Sequence, residues 1–269
     1  MRPTARRRTQ LIVPTIMALA LLGGGTAVAI EVVRRNAAER PATDTSDGPT
    51  VPGSSTAPTA SAAPASPATA SPTPTGYPKT GPGTWRYATA HGAILGTAGP
   101  VRHFRVAVET GIPIDVDAFA DEVEDTLGDG RSWIAGGQFR LQRVPGNASS
   151  EFTVYLATKG TSVKLCQAGG VATGGFTSCR TPGHVVINLD RWVNAVPEYV
   201  NAGVPLETYR KYVINHETGH QLGHGHELCP GAGRPAPVME QQTLGLHGCT
   251  ANPWPYLDGE RYAGPPGHY

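Results

Sequence analysis

The sequence has few charged residues and few aromatic ones. Only 16% of its 269 residues are Asp, Glu, Lys or Arg and 7% are Phe, Trp or Tyr, whereas glycine occurs 34 times and proline 25 times. The hydrophobic share of 39% and the charged share both lie below those of a typical globular chain. This composition indicates a folded domain diluted by a low-complexity segment, and it argues against a single cytosolic globule.

Net positive charge is confined to the N-terminus. The net charge is +1, but seven arginines fall within residues 1–40, and residues 85–269 carry 14 basic and 17 acidic side chains. The chain contains no basic run with interleaved aromatic residues, so we expect no nucleic-acid partner. Cysteine is rare too. Four cysteines are too few for a disulfide-built miniprotein, but they suffice for two bridges.

One long uncharged run, residues 11–30, follows three consecutive arginines at residues 6–8. About 20 apolar residues match the hydrocarbon core of a bilayer, and arginines before the run favour a cytoplasmic N-terminus. We predict a basic cytoplasmic tail at residues 1–10, followed at residues 11–33 by a transmembrane anchor or a signal peptide cleaved near residues 27–29. An anchor would hold an extracellular domain at the cell membrane, whereas cleavage would release a secreted protein.

The segment after this run is dominated by four residue types. Between residues 41 and 80, 32 of the 40 residues are Pro, Thr, Ala or Ser. Such a segment cannot bury enough apolar surface to offset the entropy lost on ordering. We therefore predict a disordered stalk, open to O-glycosylation, over residues 34–84, and a folded domain over residues 85–269.

Hydrophobic periodicity beyond the stalk predicts an α/β or α+β domain. The alternating or β-branched runs predict strands at residues 102–108, 138–144, 152–157, 163–166 and 184–190. The helical spacings predict helices at 115–127, capped by Asp115 or Asp117, and at about 205–222. A Pro-Gly-Asn turn signal at residues 145–147 predicts that the second and third strands form a hairpin.

The second predicted helix contains the residues with the most specific spacing, in the run HETGHQLGHGH that begins at His216. His216 and His220 are four residues apart on one helical face, so both rings can reach one zinc ion. Glu217 would reach a water bound to that metal. Gly223 permits a sharply turned backbone, and the turn would bring His226 back as a third ligand.

His224 is the competing third ligand. It follows His220 by four residues, but a row of three histidines along a continuing helix would span about 12 Å at 1.5 Å per residue, too far for one ion. Glycines at positions 223 and 225 indicate that the helix has ended, so we favour His226. The full spacing H-E-x-x-H-x-x-G-x-x-H predicts a Zn²⁺ site far more specifically than a lone H-E-x-x-H does.

This long motif resembles that of the metzincin clan of zinc metallopeptidases. The resemblance implies a metzincin-like zincin domain, with a small mixed sheet, a long active-site helix and a methionine in a tight turn beneath the metal. Met239, at the end of the run PAPVM, is placed for that Met-turn. The sequence departs from better-known metzincins in two ways. No tyrosine stands two residues after Met239, and the stalk has no cysteine for a cysteine-switch mechanism.

The run from His216 to Tyr256 also resembles an actinobacterial family of membrane-anchored extracellular proteins of unassigned function, and the likeness extends over about residues 85–265. The shared features are the zinc motif, Cys-Pro at 229–230, Pro-Val-Met at 237–239, Gln-Gln-Thr at 241–243 and Asn-Pro-Trp-Pro at 252–255. This resemblance implies a zinc peptidase-like site, and it indicates no substrate.

The cysteines are expected to form disulfides, since bridges are the default outside the cytoplasm. Of the three possible connectivities, we favour Cys166–Cys179 and Cys229–Cys249, because each closes a local loop. A cysteine-ligated zinc site is the competing interpretation. The sequence has no C-x-x-C spacing, which argues against it.

These features predict an extracellular, monomeric zinc endopeptidase that acts on a peptide or protein substrate with Glu217 as general base. The strand at 184–190, or a neighbouring edge strand, would pair with an extended substrate. Two alternatives remain: a zinc-containing cell-envelope binding module, and a hydrolase of a non-protein amide such as a peptidoglycan cross-link. The presence of Glu217 favours an enzyme over a binding module.

Overall fold

The computed structural model describes residues 76–269 and has a mixed α/β fold, as the periodicity predicted. Its main sheet has seven strands: β1 (Trp85–Tyr87), β2 (Ile94–Leu95), β3 (Val101–Glu109), β4 (Arg140–Arg143), β5 (Phe152–Ala157), β6 (Cys179–Thr181) and β7 (His184–Asn188). The helices are α1 (Val116–Gly128), α2 (Lys159–Ala168), α3 (Leu189–Asn194), α4 (Pro197–Asn201) and α5 (Leu206–Gln221). A 3-10 turn spans Trp133–Gly136, and β8 (Tyr256–Leu257) pairs with β9 (Glu260–Arg261).

The sheet is mixed, with the order β2-β4-β3-β5-β7-β6, and β1 pairs with the C-terminal end of β3. The four central strands β4, β3, β5 and β7 run parallel to one another. The flanking strands β1, β2 and β6 are antiparallel to their partners. Strand β6 therefore forms one edge of the sheet, next to β7.

Alternation along the central strands divides the core between the two faces of the sheet. In β7, Val185 and Ile187 join the main core with residues of α1, α3 and α5, whereas Val186 joins a small cluster that includes Cys166 of α2. Successive strand residues point to opposite faces, so both faces of the sheet are covered by helices. Helix α5, which contains the histidine motif, belongs to the main core.

The two helices predicted from amphipathic spacing are confirmed. Asp115 caps α1, and its carboxylate accepts from the backbone amides of Asp117 and Ala118 at 3.0 and 2.9 Å. Helix α5 begins directly after Pro205 and ends at Gln221. Pro205 is the N-cap residue just outside the helix, where its missing backbone N–H removes no intrahelical hydrogen bond.

The predicted hairpin between residues 138–144 and 152–157 is wrong. Strands β4 and β5 lie on opposite sides of β3, and each runs parallel to it. All six residues of β5 are buried, which suits a central parallel strand better than a two-stranded hairpin. The Pro-Gly-Asn segment at 145–147 is a loop that leads from one side of β3 to the other.

The predicted strand at 163–166 is also wrong, because these residues lie within α2. Thr158 caps this helix and accepts from the amide of Thr161. The sulfur of Cys166 packs beneath the sheet in the small cluster. A β-branched residue at position 163 favoured a strand locally, but the cap and the burial of one helical face determine the structure.

The last residues of the predicted stalk contact the domain. Tyr77 packs against the main core, Lys79 pairs with Asp190 at 3.0 Å, and the amide of Gly83 donates to the buried carboxylate of Glu109 at 2.8 Å. The folded part therefore begins before Trp85, the boundary predicted from composition.

The tail at residues 1–10, the anchor or signal peptide at 11–33 and the stalk up to residue 75 lie outside the described residues. Within residues 76–269, no helix has the length and apolar character needed to span a bilayer. Two disulfides are present, Cys166–Cys179 and Cys229–Cys249, which is the sequential pairing. They are consistent with an extracellular protein.

Candidate metal centre

The site is built on the C-terminal half of α5. The helix is buried from Tyr212 to Gly219, so the side chains of His216 and Glu217 are only 6% exposed. His216 and His220 are one turn apart and face the same side. The helix ends at Gln221, and Gly223 adopts a left-handed φ of 98° that few other residues would accept. This turn redirects the chain toward the two histidines.

The three predicted ligands His216, His220 and His226 converge. Nε2 of His220 lies 3.2 Å from Nε2 of His216 and 3.0 Å from Nε2 of His226. Each histidine offers one ring nitrogen within 4.8 Å of the other two. Two nitrogens bound tetrahedrally at ~2.0–2.1 Å from one ion would be roughly 3.3 Å apart, so the spacing fits a shared cation.

The contacts of the opposite ring nitrogens determine which nitrogen of each ring carries the proton. Nδ1 of His216 lies 2.9 Å from the carbonyl oxygen of Val238, and Nδ1 of His220 lies 2.9 Å from that of His224. A carbonyl can only accept, so in each ring Nδ1 holds the proton and Nε2 presents a lone pair. Converging lone pairs repel one another unless a positive ion lies between them. This arrangement is the observation that most favours a metal.

Burial keeps these rings neutral. It lowers the pKa of His216 well below its usual value, and the neighbouring His220 lowers it further. Burial also lowers the pKa of His220. The pKa of His226 is lowered to about 4, first by burial and then by the charges of His220 and His268. Neutral imidazole is the form that binds a metal.

The structure does not group His224 with the other three. Its ring stacks on Trp133, with centroids 4.2 Å apart and planes inclined by 20°. Its backbone carbonyl, rather than its ring, contacts His220. His224 therefore holds the orientation of a neighbouring histidine through its main chain, while its imidazole packs on the rim of the site.

Glu217 lines the same cleft as the histidines. Burial alone raises the pKa of its carboxyl to about 8, and no charge or hydrogen bond among the described residues opposes that shift. A buried carboxylate without a partner is costly unless a cation or a bound donor compensates it. A carboxylate that lines the same cleft as the three histidines suits a general base next to a bound cation.

Met239 lies below the helix and is fully buried. Its sulfur is packed against Gly219, and the preceding carbonyl of Val238 accepts from His216. The turn is closed by the amide of Glu240, which donates to the carbonyl of Pro237 at 2.9 Å. The methionine segment thus orients one of the three histidines directly.

Two residues that the sequence analysis quoted without a role support this turn. The amide of Gln242 donates to the carbonyls of Pro237 and Asn252 at 3.1 and 2.8 Å. The Asn252 amide donates to the carbonyls of Ala236 and Trp254 at 2.9 and 3.0 Å. Both side chains are buried, so they replace the secondary structure that this irregular segment lacks. The Cys229–Cys249 disulfide closes the loop that contains Gln242 and the methionine turn.

The site opens into a cleft of about 520 Å³. Its floor is formed by the histidines and Glu217, one wall by residues of and before β6, and the other by the segment after Met239. The residues of these two walls include Ser178, Arg180, Gln241, Thr243 and Leu244. No pattern in the sequence points to Arg180, because a single arginine in a three-residue strand has no recognisable spacing from the zinc motif.

The comparison with known proteins identifies the family of the chain but no activity. A family model described as "Protein of unknown function (DUF3152)" matches residues 71–252. No curated protein and no solved structure matches the chain.

Proposed function

Because the chain belongs to the DUF3152 family, whose function is unknown, we propose its activity from the geometry of the site: a zinc-dependent endopeptidase that acts outside the cell. The observation that carries this proposal is the convergence of three Nε2 atoms, two of which present lone pairs, in a cleft that a buried carboxylate without a hydrogen-bond partner also lines. A metzincin-like arrangement would assign His216, His220 and His226 as ligands. Met239 would be the methionine beneath them.

Zinc is the metal that this donor set suits best. Three imidazoles without an acidic ligand favour zinc over calcium or magnesium, which prefer oxygen. Three protein ligands also leave one position open, as in catalytic rather than structural zinc sites. A zinc ion held there would polarise a substrate carbonyl and lower the pKa of water.

The chain's own residues would handle the proton and the substrate. Glu217 would accept a proton from the attacking water and pass it to the leaving amine as the peptide bond breaks. The burial of the Glu217 side chain would strengthen these electrostatic contacts, because they lie in a medium of lower dielectric constant than water. The Nδ1 hydrogen bonds of His216 and His220 to backbone carbonyls would keep both rings oriented throughout.

An extended substrate has one sheet edge available beside the cleft. Strand β7, one of the two predicted docking strands, is paired on both sides by β5 and β6, so it cannot accept a further strand. Strand β6 is the edge strand, and its residues line the cleft. We propose that the substrate backbone pairs with β6, which would place its carbonyl over the histidines.

The test is a comparison of the full-length protein with its Glu217→Gln variant. Zinc would be counted by mass spectrometry, and cleavage would be followed on a mixed peptide library. We expect one zinc per chain in both proteins and cleavage only by the unaltered one. Glu207→Gln is the matched control, because Glu207 lies exposed on the same helix. Equal cleavage by the Glu217 variant, or a chain that takes up no zinc, would disprove the proposal. One zinc with no cleavage of any peptide would favour a binding module or a non-protein amide substrate.

A further inference from the structure

The edge strand β6 directs one side chain toward the site. The side chains of its outer residues, Cys179 and Thr181, point to the α2 side of the sheet: Cys179 borders the cleft, but its sulfur is bonded to Cys166 in the small cluster, and Thr181 packs against Gly169 next to α2. Alternation along a strand therefore turns Arg180 to the opposite face, toward α5. Arg180 accordingly lines the cleft.

The guanidinium of Arg180 is held in place without being neutralised. Its Nε donates to the side-chain oxygen of Gln221 at 2.9 Å, and Gln221 directly follows His220. No carboxylate pairs with Arg180 among residues 76–269, and its two terminal nitrogens make no hydrogen bond to described residues. These nitrogens hold four donors in a planar fork that matches a carboxylate.

Arg180 is also the only lysine or arginine that lines the cleft within the described part of the chain, and Glu217 is the only carboxylate there. The metal would balance the negative charge of Glu217. The half-buried, anchored Arg180 then leaves the cleft with a surplus of positive charge. Such a surplus favours substrates with a negative group close to the reacting bond.

We propose that the cleft selects acidic peptides, with the terminal nitrogens of Arg180 binding the carboxylate of an Asp or Glu side chain adjacent to the scissile bond. This inference rests on the proposed endopeptidase function. Arg180 would determine which substrates are preferred. Its Nε contact to Gln221 fixes the plane of the guanidinium, and the Cys166–Cys179 disulfide anchors strand β6 at the preceding residue. Both features keep the fork in one orientation before substrate binds.

The experiment uses peptide pairs that are identical except for Glu or Gln at each position flanking the cleaved bond. For the unaltered full-length protein with zinc, we expect kcat/KM to favour the Glu member by roughly tenfold or more at low salt, the size of one charge-assisted hydrogen-bonded contact. The preference should vanish in Arg180→Gln, persist in part in Arg180→Lys, and reverse in favour of the Gln member in Arg180→Glu. Arg102→Gln is the matched control, because Arg102 pairs with Glu151 on the surface outside the cleft.

A second measurement separates this inference from the proposed activity. Binding of the same peptide pairs to zinc-loaded Glu217→Gln protein reports the Glu-to-Gln ratio of Kd without turnover. Equal cleavage of both pair members, or an acidic preference that survives in Arg180→Gln, would overturn the role of Arg180 and leave the endopeptidase proposal intact. Absence of cleavage with zinc bound would count against the endopeptidase. The ratio of Kd would then decide the inference by itself, and a ratio near one would overturn it.

Discussion

The sulfur of Met239 lies so close to Gly219 that a Cβ built on the glycine would overlap it. The same Cβ would also lie 2.6 Å from Cζ2 of Trp133. The glycine in the middle of the histidine motif thus allows the methionine turn and the helix to touch. That contact brings the carbonyl of Val238 within 2.9 Å of His216 Nδ1.

This contact predicts that Gly219→Ala destabilises the protein, although alanine ordinarily favours a helix over glycine. Overpacking a full core costs about 1–3 kcal/mol, more than the ~1 kcal/mol that helix propensity contributes. We expect a lower Tm and weaker zinc binding, measured by thermal unfolding and by zinc titration. Gly130→Ala is the control, because a Cβ there would meet no atom within 4 Å. An unchanged Tm for Gly219→Ala would show that the methionine turn can shift to make room for the added methyl group.

Alanine substitutions at the two glycines that precede His226 are predicted to differ in their effect on zinc binding. Gly223 has a φ of 98°, a conformation that an L side chain rarely adopts, whereas Gly225 has no such constraint and open space around its Cβ position. Gly223→Ala should therefore strain the turn by about 1–2 kcal/mol and weaken zinc binding, while Gly225→Ala should leave it nearly unchanged. Zinc affinity of the two variants, determined by competition with a chelator, checks this. Equal losses would indicate that the turn is not the constraint.

The third ligand can be identified by a pair of substitutions. His226→Ala should reduce zinc affinity by more than the roughly 10–100-fold that losing a supporting residue costs, since it removes a nitrogen from the cluster. His224→Ala should change the affinity little. The contact of His224 to His220 runs through the backbone carbonyl, which alanine retains, and only its stacking on Trp133 is lost. The zinc stoichiometry and Kd of both variants identify the third ligand. A larger loss of affinity in His224→Ala than in His226→Ala would make His224 the ligand.

The histidine cluster was predictable from the sequence because its geometry is local. His216 and His220 are one helical turn apart, and Gly223 sets the turn that returns His226, all within eleven residues. The helix α1 and its Asp115 cap were predictable for the same reason. In each case the spacing along the chain nearly determines the spacing in space.

The parts that could not be predicted depend on distant partners. Strands β4 and β5 pair with β3 rather than with each other, and this pairing depends on which strands are buried on both faces of the sheet. The local turn signal at residues 145–147 contains no information about that burial. Gln242 and Asn252 support the methionine turn through carbonyls up to sixteen residues away. Arg180 reaches the site only because β6 lies along α5, 41 residues before Gln221. No spacing rule connects such residues.

Glu240, next to the methionine, predicts a pH dependence of stability. Its side chain is fully buried, and its carboxyl oxygens have no hydrogen-bond partner among the described residues. Burial raises its pKa to about 7 from an ordinary value of 4.5. The folded chain therefore keeps this proton over a pH range in which the unfolded chain has lost it. The contribution of Glu240 to stability should therefore fall as the pH rises from about 4.5 through 7, because folding takes up a proton at this carboxyl in that range.

Glu240→Gln removes this proton uptake, so its stabilising effect should grow with pH. Relative to the unaltered protein, we expect the free energy of unfolding of the variant to increase from pH 4.5 to 8 by about 1–3 kcal/mol. Urea unfolding in the presence of a chelator measures this without a contribution from bound metal. Histidines titrate alike in both proteins and cancel in the difference. Glu207→Gln, at an exposed position, is measured in parallel as the control for replacing a glutamate by glutamine. A pH-independent offset for Glu240→Gln would instead mean that the carboxyl is charged and compensated in the folded protein.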